Sequence, residues 1–257
     1  MKAVGAAAAA FSAISPPTVS SALQTAGQQR GTGTSKIRVL AFDAYGTLFD
    51  VFSVTALCER LFPGNGNNLA QLWRAKQLQY ILLRSLMGRY KDFWQVTEDG
   101  LVYAAKSLKL DLTPEKRQQL MDVYLHLTAF SDVRPGLESL RNLGLRLAIL
   151  SNGEPKMLEA AARNAGIAAL LDAIISADEV KVFKPSPSVY KLAATRTNAS
   201  ASQIGFVSSN SWDINGAASA GLTTFWIQRA AGEPPEELGF SANRVVSAIT
   251  DLPALVQ

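Results

Sequence analysis

Cysteine and histidine are nearly absent from this chain, and each absence narrows its chemistry. The single cysteine, Cys58, excludes an intramolecular disulfide and a cysteine-rich metal cluster; set in an apolar helical stretch, it reads as a buried thiol. The single histidine, His126, lies between Leu125 and Leu127, reads as a helix residue and has no second histidine with which to hold a metal. Imidazole acid–base catalysis has little to draw on, so carboxylates must do that work. No basic run interleaved with aromatics accompanies the net charge of +4 and isoelectric point of about 9.2. Nothing therefore marks a nucleic-acid partner, and a small anionic substrate fits the charge balance better. No apolar run is long enough to span a membrane as a stable anchor, and no internal repeat appears.

The 257 residues, 48% of them hydrophobic, suffice for one sizeable core or a core with an inserted subdomain. Residues 1–35 differ from the rest: Lys2, an Ala-rich apolar segment from Ala3 to Ile14, Pro16-Pro17, then small and polar residues. This is the layout of an export signal with a linker, and Met1-Lys2 before such a segment looks like the end of a twin-arginine signal whose arginine pair lies upstream. A disordered Ala-rich tail is the alternative. The first reading places the protein in the periplasm, the second in the cytoplasm.

Beyond residue 35 the pattern is α/β. Ile37 to Phe42 is an apolar run suited to a strand buried on both faces. From 52 to about 130 no convincing strand appears; Leu69, Leu72, Trp73, Lys76, Tyr80 and Leu83 follow helical spacing, as do Phe93, Val96, Gly100 and Tyr103 more loosely. Thr113-Pro114-Glu115 reads as a helix start. From 131 onward strands at 145–150, 173–176, 204–208 and 223–227 alternate with helices, the last of them near 251–256. Alternation means a parallel sheet with helices on both faces. The expected architecture is a doubly wound, Rossmann-like core of residues 36–50 and 131–257, with a helical cap of residues 51–130 inserted.

Four strings sit at strand ends or in the loops that follow them, where open α/β sheets bind ligands. FDAYGTLFD places Asp43 at the end of the first strand, followed by Ala44, Tyr45 and Thr47; LAILSNG ends in Ser151-Asn152-Gly153; KVFKP offers Lys184, with Tyr190 six residues on; GFVSSNSWD carries Ser208, Asn210, Trp212 and Asp213. Each has a plain structural reading: Asp43 as a turn aspartate, Thr47 as a turn cap, Lys184 as a solvated lysine, Asn152-Gly153 as a turn, Asp213 as a carboxylate at a helix N-terminus. Arg74 is less ordinary, because Leu78 and Ile81 share its helix face and flank the guanidinium with apolar surface.

In order and spacing these strings resemble the motifs of the L-2-haloacid dehalogenases, within the haloacid dehalogenase-like hydrolase superfamily. The resemblance covers nearly everything after Lys36. Phosphatases of that superfamily carry a second aspartate two residues after the first, to protonate the leaving group; here that position is Tyr45, and a departing halide needs no proton. The resemblance implies Asp43 as nucleophile, Thr47 holding its carboxylate and Lys184 beside it as counter-ion. Ser151 and Asn152 correspond to a substrate-carboxylate clamp, and Arg74, Asn210, Phe93 and Trp212 to a halide cradle, with Ala44, Tyr45 and Leu78 also lining the substrate site. Tyr190 corresponds to a tyrosine that contacts the nucleophile region, and Asp213, with Ser208 and Asn210 near it, to the carboxylate that positions the hydrolytic water. It further implies hydrolysis of short L-2-haloalkanoic acids to D-2-hydroxy acids, no metal and no other cofactor, no nucleic-acid or membrane partner, and a homodimer formed through the cap. Relatives follow the arginine with glutamine; Ala75 here implies a roomier pocket. A phosphatase of the same superfamily and a non-catalytic small-anion-binding protein are the alternatives.

Overall fold

The structure is a computed structural model that describes residues 36–230 and 232–256. The export-signal reading of residues 1–35 lies outside the described residues. Among the described residues six strands form one sheet: β1 Val39–Phe42, β2 Arg146–Ser151, β3 Ala173–Ser176, β4 Ile204–Ser208, β5 Thr223–Ile227 and β6 Arg244–Val246. Their order is β3-β2-β1-β4-β5-β6, and every pairing is parallel. The strands are apolar runs because both faces of such a sheet are covered; all residues of β1 and β4 are buried.

Among the described residues the α-helices are α1 Thr55–Leu61, α2 Gly66–Leu86, α3 Phe93–Ser107, α4 Pro114–Val123, α5 Val133–Asn142, α6 Pro155–Asn164, α7 Pro187–Thr197 and α8 Ser211–Ser219. Helices α1 to α4 follow β1 as the helical stretch that the sequence predicts. Within it α2 and α3 approach so closely that a Cβ on Gly100 would lie 3.2 Å from the Gln77 backbone nitrogen. The starts are chemically marked: Thr113 accepts from the Lys116 N–H at 3.3 Å with Pro114 in the first turn, and Asp92 accepts from the Gln95 N–H at 2.8 Å.

Strand order reverses at β1: the chain leaves it toward β2 and β3 on one side and returns through β4 to β6 on the other. The crevice at the carboxyl ends of β1 and β4 is the topological switch point. Asp43 directly follows β1 there, and Ser208 ends β4.

Some local expectations fail. Helix α5 is not among the elements that the sequence pattern picked out; Pro135 falls in its first turn, and Gly136 gives room to Ile249, whose Cγ2 would lie 2.5 Å from an added Cβ. Strand β6 was missed because it is a three-residue edge strand with Arg244 and Val245 exposed. The last helix is a 3₁₀ segment, Ile249–Ala254. His126 lies in a bend after α4, exposed, with Nδ1 2.7 Å from Asn164 Nδ2, not in a helix. On α2 the buried stripe runs through Leu69, Trp73, Gln77 and Ile81, while Leu83 is exposed, as is Tyr103 on α3.

The closeness of β4 to its neighbours gives a test. A Cβ on Gly205 would lie 2.6 Å from Leu40 Cδ2 and 2.9 Å from Phe225 Cε2, both in the core. Gly205→Ala is expected to lower stability by about 1–3 kcal/mol through overpacking, read as an earlier midpoint in denaturant at unchanged slope.

Candidate active site

Asp43 leaves β1 with its N–H bonded to the Val207 carbonyl at 2.8 Å, so the strand ladder itself sets its direction. The loop then turns back: Gly46 takes a positive φ of 95°, and its N–H donates to the Phe49 carbonyl at 2.8 Å. A side chain at Gly46 would be strained, and its Cβ would lie 3.4 Å from Ser209 Oγ and 3.9 Å from Arg74 Nη2, in the middle of the site. This turn brings Thr47 back under the aspartate, where its hydroxyl donates to Asp43 Oδ2 at 3.0 Å. Asn210 Nδ2 donates to the same oxygen at 3.0 Å.

The other oxygen, Oδ1, meets Lys184 Nζ at 3.1 Å, and that ammonium also meets Asp213 Oδ2 at 2.9 Å. Lys184 and Asp213 are 0% exposed and Asp43 is 6% exposed. Tyr190 completes the group by donating to Asp213 Oδ1 at 2.7 Å, and so reaches the nucleophile region through Asp213 and Lys184. Burial opposes the charge on Lys184, but Asp213 and Asp43 outweigh it and raise its pKa above the usual lysine value. For Asp213, burial is the larger effect and raises its pKa to about 6, Lys184 pulling the other way and Asp43 adding to the rise. Tyr190 is held well above the ordinary phenol range by burial and by Asp213.

Opposite the nucleophile stand residues of α2 and α3. Arg74 donates from Nη2 to the Tyr45 carbonyl at 3.2 Å and from Nη1 to Gln77 Oε1 at 2.7 Å. Burial lowers the guanidinium's pKa, with Tyr124 and Asp43 acting in the other direction. Phe93 stacks on Tyr45 with ring centres 5.0 Å apart. Arg74, Leu78, Ile81, Phe93 and Tyr45 bound one small void together with Asp43, Ser151, Asn152, Asn210 and Trp212. The nearby placement of Ser151 and Asn152 follows from β2 ending beside β1. Ser151 Oγ accepts from the Gly153 N–H at 3.2 Å, and Asn152 Oδ1 accepts from the Lys184 N–H at 2.8 Å, so the asparagine also fixes the lysine's backbone. Ala44 is buried, and its carbonyl closes the turn by accepting from Leu48 N at 2.9 Å. Ser208 Oγ accepts from the Asn210 N–H at 3.1 Å and so shapes the start of α8 rather than reaching Asp43.

Three residues at the site escaped sequence reasoning. Gln77 orients Arg74 and is itself held by donating to Thr97 Oγ1 at 2.7 Å; the signal was a glutamine three residues after the arginine on an apolar face. Ser209 donates from its hydroxyl to the Gly46 carbonyl at 2.7 Å and from its N–H to Thr47 Oγ1 at 2.8 Å. Arg229 donates to the Thr47 carbonyl at 2.7 Å and pairs with Asp132 at 2.8 Å; nothing in its local sequence marks it. Ala75 is exposed and absent from the void, because one residue turns about 100° along a helix, so the expectation of a roomier pocket through Ala75 is overturned.

The superfamily's magnesium chemistry finds a poor fit. Asp43 and Asp213 share an ammonium where a cation would need them free, and Tyr45, whose phenol burial pushes well above its ordinary range, stands where a second carboxylate would be. Among the described residues no group of three acidic, histidine or cysteine side chains gathers.

A strand-end carboxylate paired to a buried lysine at the switch point of a doubly wound sheet, facing an arginine from inserted helices, is the arrangement of a hydrolase that works through an aspartate. A family model for haloacid dehalogenase-like hydrolase matches residues 37–221. The (S)-2-haloacid dehalogenase of Pseudomonas sp. (strain YL) is 46% identical over 213 residues, 83% of this chain and 91% of that protein. A second such enzyme, from Pseudomonas sp. (strain CBS-3), is 44% identical over 221 residues, 86% of this chain and 96% of that one. The structure of L-2-haloacid dehalogenase from Xanthobacter autotrophicus with chloropropionic acid covalently bound matches with a TM-score of 0.82 at 38% identity, covering 86% of this chain and 98% of that one. The chain belongs to the haloacid dehalogenase-like hydrolases and, among them, to the (S)-2-haloacid dehalogenase family.

The buried trio predicts a pH dependence. Asp213 is a carboxylate whose pKa is raised to about 6, so it is ionised above that pH and protonates below it, losing its pairing with Lys184. Turnover is expected to fall as pH drops through about 6 and to be flat above it until lysine or tyrosine titrates. In a profile of log kcat against pH, an acid limb lying near 4 would show that Asp213 does not need its charge.

Proposed function

We propose that this chain hydrolyses short L-2-haloalkanoic acids to D-2-hydroxy acids and halide through an ester on Asp43. The observation that carries this reading is the small void in which a half-buried arginine, Arg74, faces a carboxylate that is already ionically paired and hydrogen-bonded, with both of its oxygens engaged. One Asp43 oxygen attacks C2 of the acid, the carbon–halogen bond breaks with its electron pair going to the halide, and the configuration at C2 inverts. Displacement without proton transfer suits a site whose tyrosine at position 45 is far too weak an acid to protonate a leaving group. The covalently bound acid in the Xanthobacter autotrophicus relative supports the ester route.

Arg74 supplies a planar set of donors for the departing anion, with Asn210 Nδ2 and the ring edges of Phe93 and Trp212 around it. Ser151 and the N–H groups at the end of β2 take the substrate carboxylate. In the second half, water adds to the carboxyl carbon of the Asp43 ester and passes a proton to Asp213, whose raised pKa makes it a usable base near neutrality. Asp213 returns that proton to the substrate oxygen as its bond to the carboxyl carbon breaks, which releases the hydroxy acid, and Asp43 is restored as a carboxylate when its remaining proton passes to solvent. Helices α1 to α4 act as a cap over this chemistry. Exposed Leu86 and Met87 at the end of α2 support a homodimer formed through that layer.

Halide release from L-2-chloropropionate, with chiral analysis of the lactate, tests the reaction. Equimolar chloride and D-lactate, unchanged by a chelator, are expected; release that stops with chelator and returns only with magnesium would overturn the reading. Arg74→Lys is expected to lower kcat by about 10²-fold while melting within a few degrees of the parent, since the charge remains and the fork of donors is lost. Full activity in that variant would show that Arg74 does not meet the halide.

A further inference from the structure

We propose that Arg229, two residues beyond β5, is a positioning residue for turnover: it aims Asp43 through Thr47 and ties that threonine to the chain segment returning from the inserted helices. The inference rests on the dehalogenase reading, which makes Asp43 the nucleophile. Thr47 touches Asp43 through its hydroxyl at 3.0 Å, but the turn that carries it holds it weakly. It follows Gly46, whose positive φ gives the turn its sharpness, and its N–H reaches the Ala44 carbonyl at 3.3 Å, against 2.9 and 3.0 Å for the N–H groups of Leu48 and Phe49 to the same oxygen.

Two donors from outside the turn fix it. The Ser209 N–H meets the Thr47 hydroxyl oxygen at 2.8 Å, and Arg229 Nη2 meets the Thr47 carbonyl at 2.7 Å. Threonine is β-branched and stiff about its first torsion, so fixing its backbone fixes the direction of its hydroxyl. Arg229 therefore bears on an Asp43 oxygen with one residue between them.

The arginine is itself held. Its Nη1 meets Asp132 Oδ1 at 2.8 Å, and its guanidinium carbon lies 4.1 Å from the centre of the Phe130 ring. Asp132 Oδ2 accepts from the Ile249 N–H at 2.6 Å. The returning segment runs beside the nucleophile loop, with the Asp50 N–H on the Thr128 carbonyl at 2.8 Å and the Phe130 N–H on the Leu48 carbonyl at 3.1 Å. One prong of the guanidinium thus takes the returning segment and the other takes the turn. A pair with Asp132 alone would brace the fold and leave turnover untouched; the second prong, on the residue that touches the nucleophile, is what gives Arg229 a part in the rate. Lysine keeps the charge but is a point donor without the planar fork that spans both partners.

The experiment is a double-mutant cycle on halide release from L-2-chloropropionate, run on the parent, Arg229→Lys, Thr47→Val and the double variant below their melting transitions, with slow variants followed over hours. In Arg229→Lys kcat is expected to fall about tenfold while KM stays within about twofold, because the nucleophile is misaligned and the residues facing the halide and substrate carboxylate are untouched. In the Thr47→Val background the same substitution should cost less than about twofold, since the hydroxyl through which it acts is gone. A parent-like kcat in Arg229→Lys, or an undiminished tenfold loss on top of Thr47→Val, would overturn the positioning role. If Arg229→Lys is unfolded at the assay temperature, Asp132→Asn, which keeps the arginine and removes the charge that aims it, takes its place in the cycle under the same two expectations. A parent that releases no halide overturns the dehalogenase reading and this role with it; an active parent with an indifferent Arg229→Lys overturns the role alone.

Discussion

One ammonium group in a place that water does not reach holds the site together. Lys184 Nζ lies between Asp43, which follows β1, and Asp213, in the first turn of α8, and the lysine itself comes from the segment after β3. Three separate crossings of the sheet are therefore tied at one nitrogen. Two carboxylates and one ammonium leave an excess negative charge in the interior. Removing either partner of such a group typically costs about 3–5 kcal/mol, because an uncompensated charge stays buried. The arrangement is tolerated because each remaining oxygen is occupied, by Thr47 and Asn210 on Asp43 and by Tyr190 on Asp213.

The same trio explains why the inserted helices matter. Arg74 brings a second cation to the opposite wall and balances the excess charge before any substrate arrives. Its position is not left to a flexible side chain: Gln77 holds it, Thr97 holds Gln77, and Trp73 Nε1 donates to the Thr97 carbonyl at 2.7 Å. Pre-set donors of this kind need no rearrangement when charge develops on a leaving group, which is where their effect on rate lies. On the core side, Arg229 and Ser209 fix the turn that carries Thr47, so the nucleophile loop is braced from the core as well as from the inserted helices, where Arg74 donates to the Tyr45 carbonyl.

The five longer strands were legible because each is an apolar run buried on both faces, and strands β3, β4 and β5 begin and end where the pattern placed them. The site residues at their ends were legible for the same reason: where an apolar run stops at Asp43, Ser151 or Ser208, the chain has reached the edge of the sheet. Lys184 was readable only through the order of the motifs, since a lysine before a proline is otherwise a surface residue. Gln77 was hidden by being a polar residue on a buried stripe, and Arg229 by acting on a backbone carbonyl 182 positions away. Ala75 misled because adjacency in sequence is not adjacency on a helix face. Strand β6 lacked the two-sided burial that made the others visible.

The claim that Asp43 attacks carbon is tested most directly by a single turnover with enzyme in excess, in water enriched in heavy oxygen. An ester on Asp43 requires that the hydroxyl oxygen of the first product comes from the carboxylate and that the solvent oxygen enters the protein. Mass analysis of the peptide around Asp43 should find the label there, with none in the hydroxy acid. Label in the hydroxy acid alone, with the peptide unlabelled, would mean that water attacks the substrate carbon directly and that Asp43 is not the nucleophile.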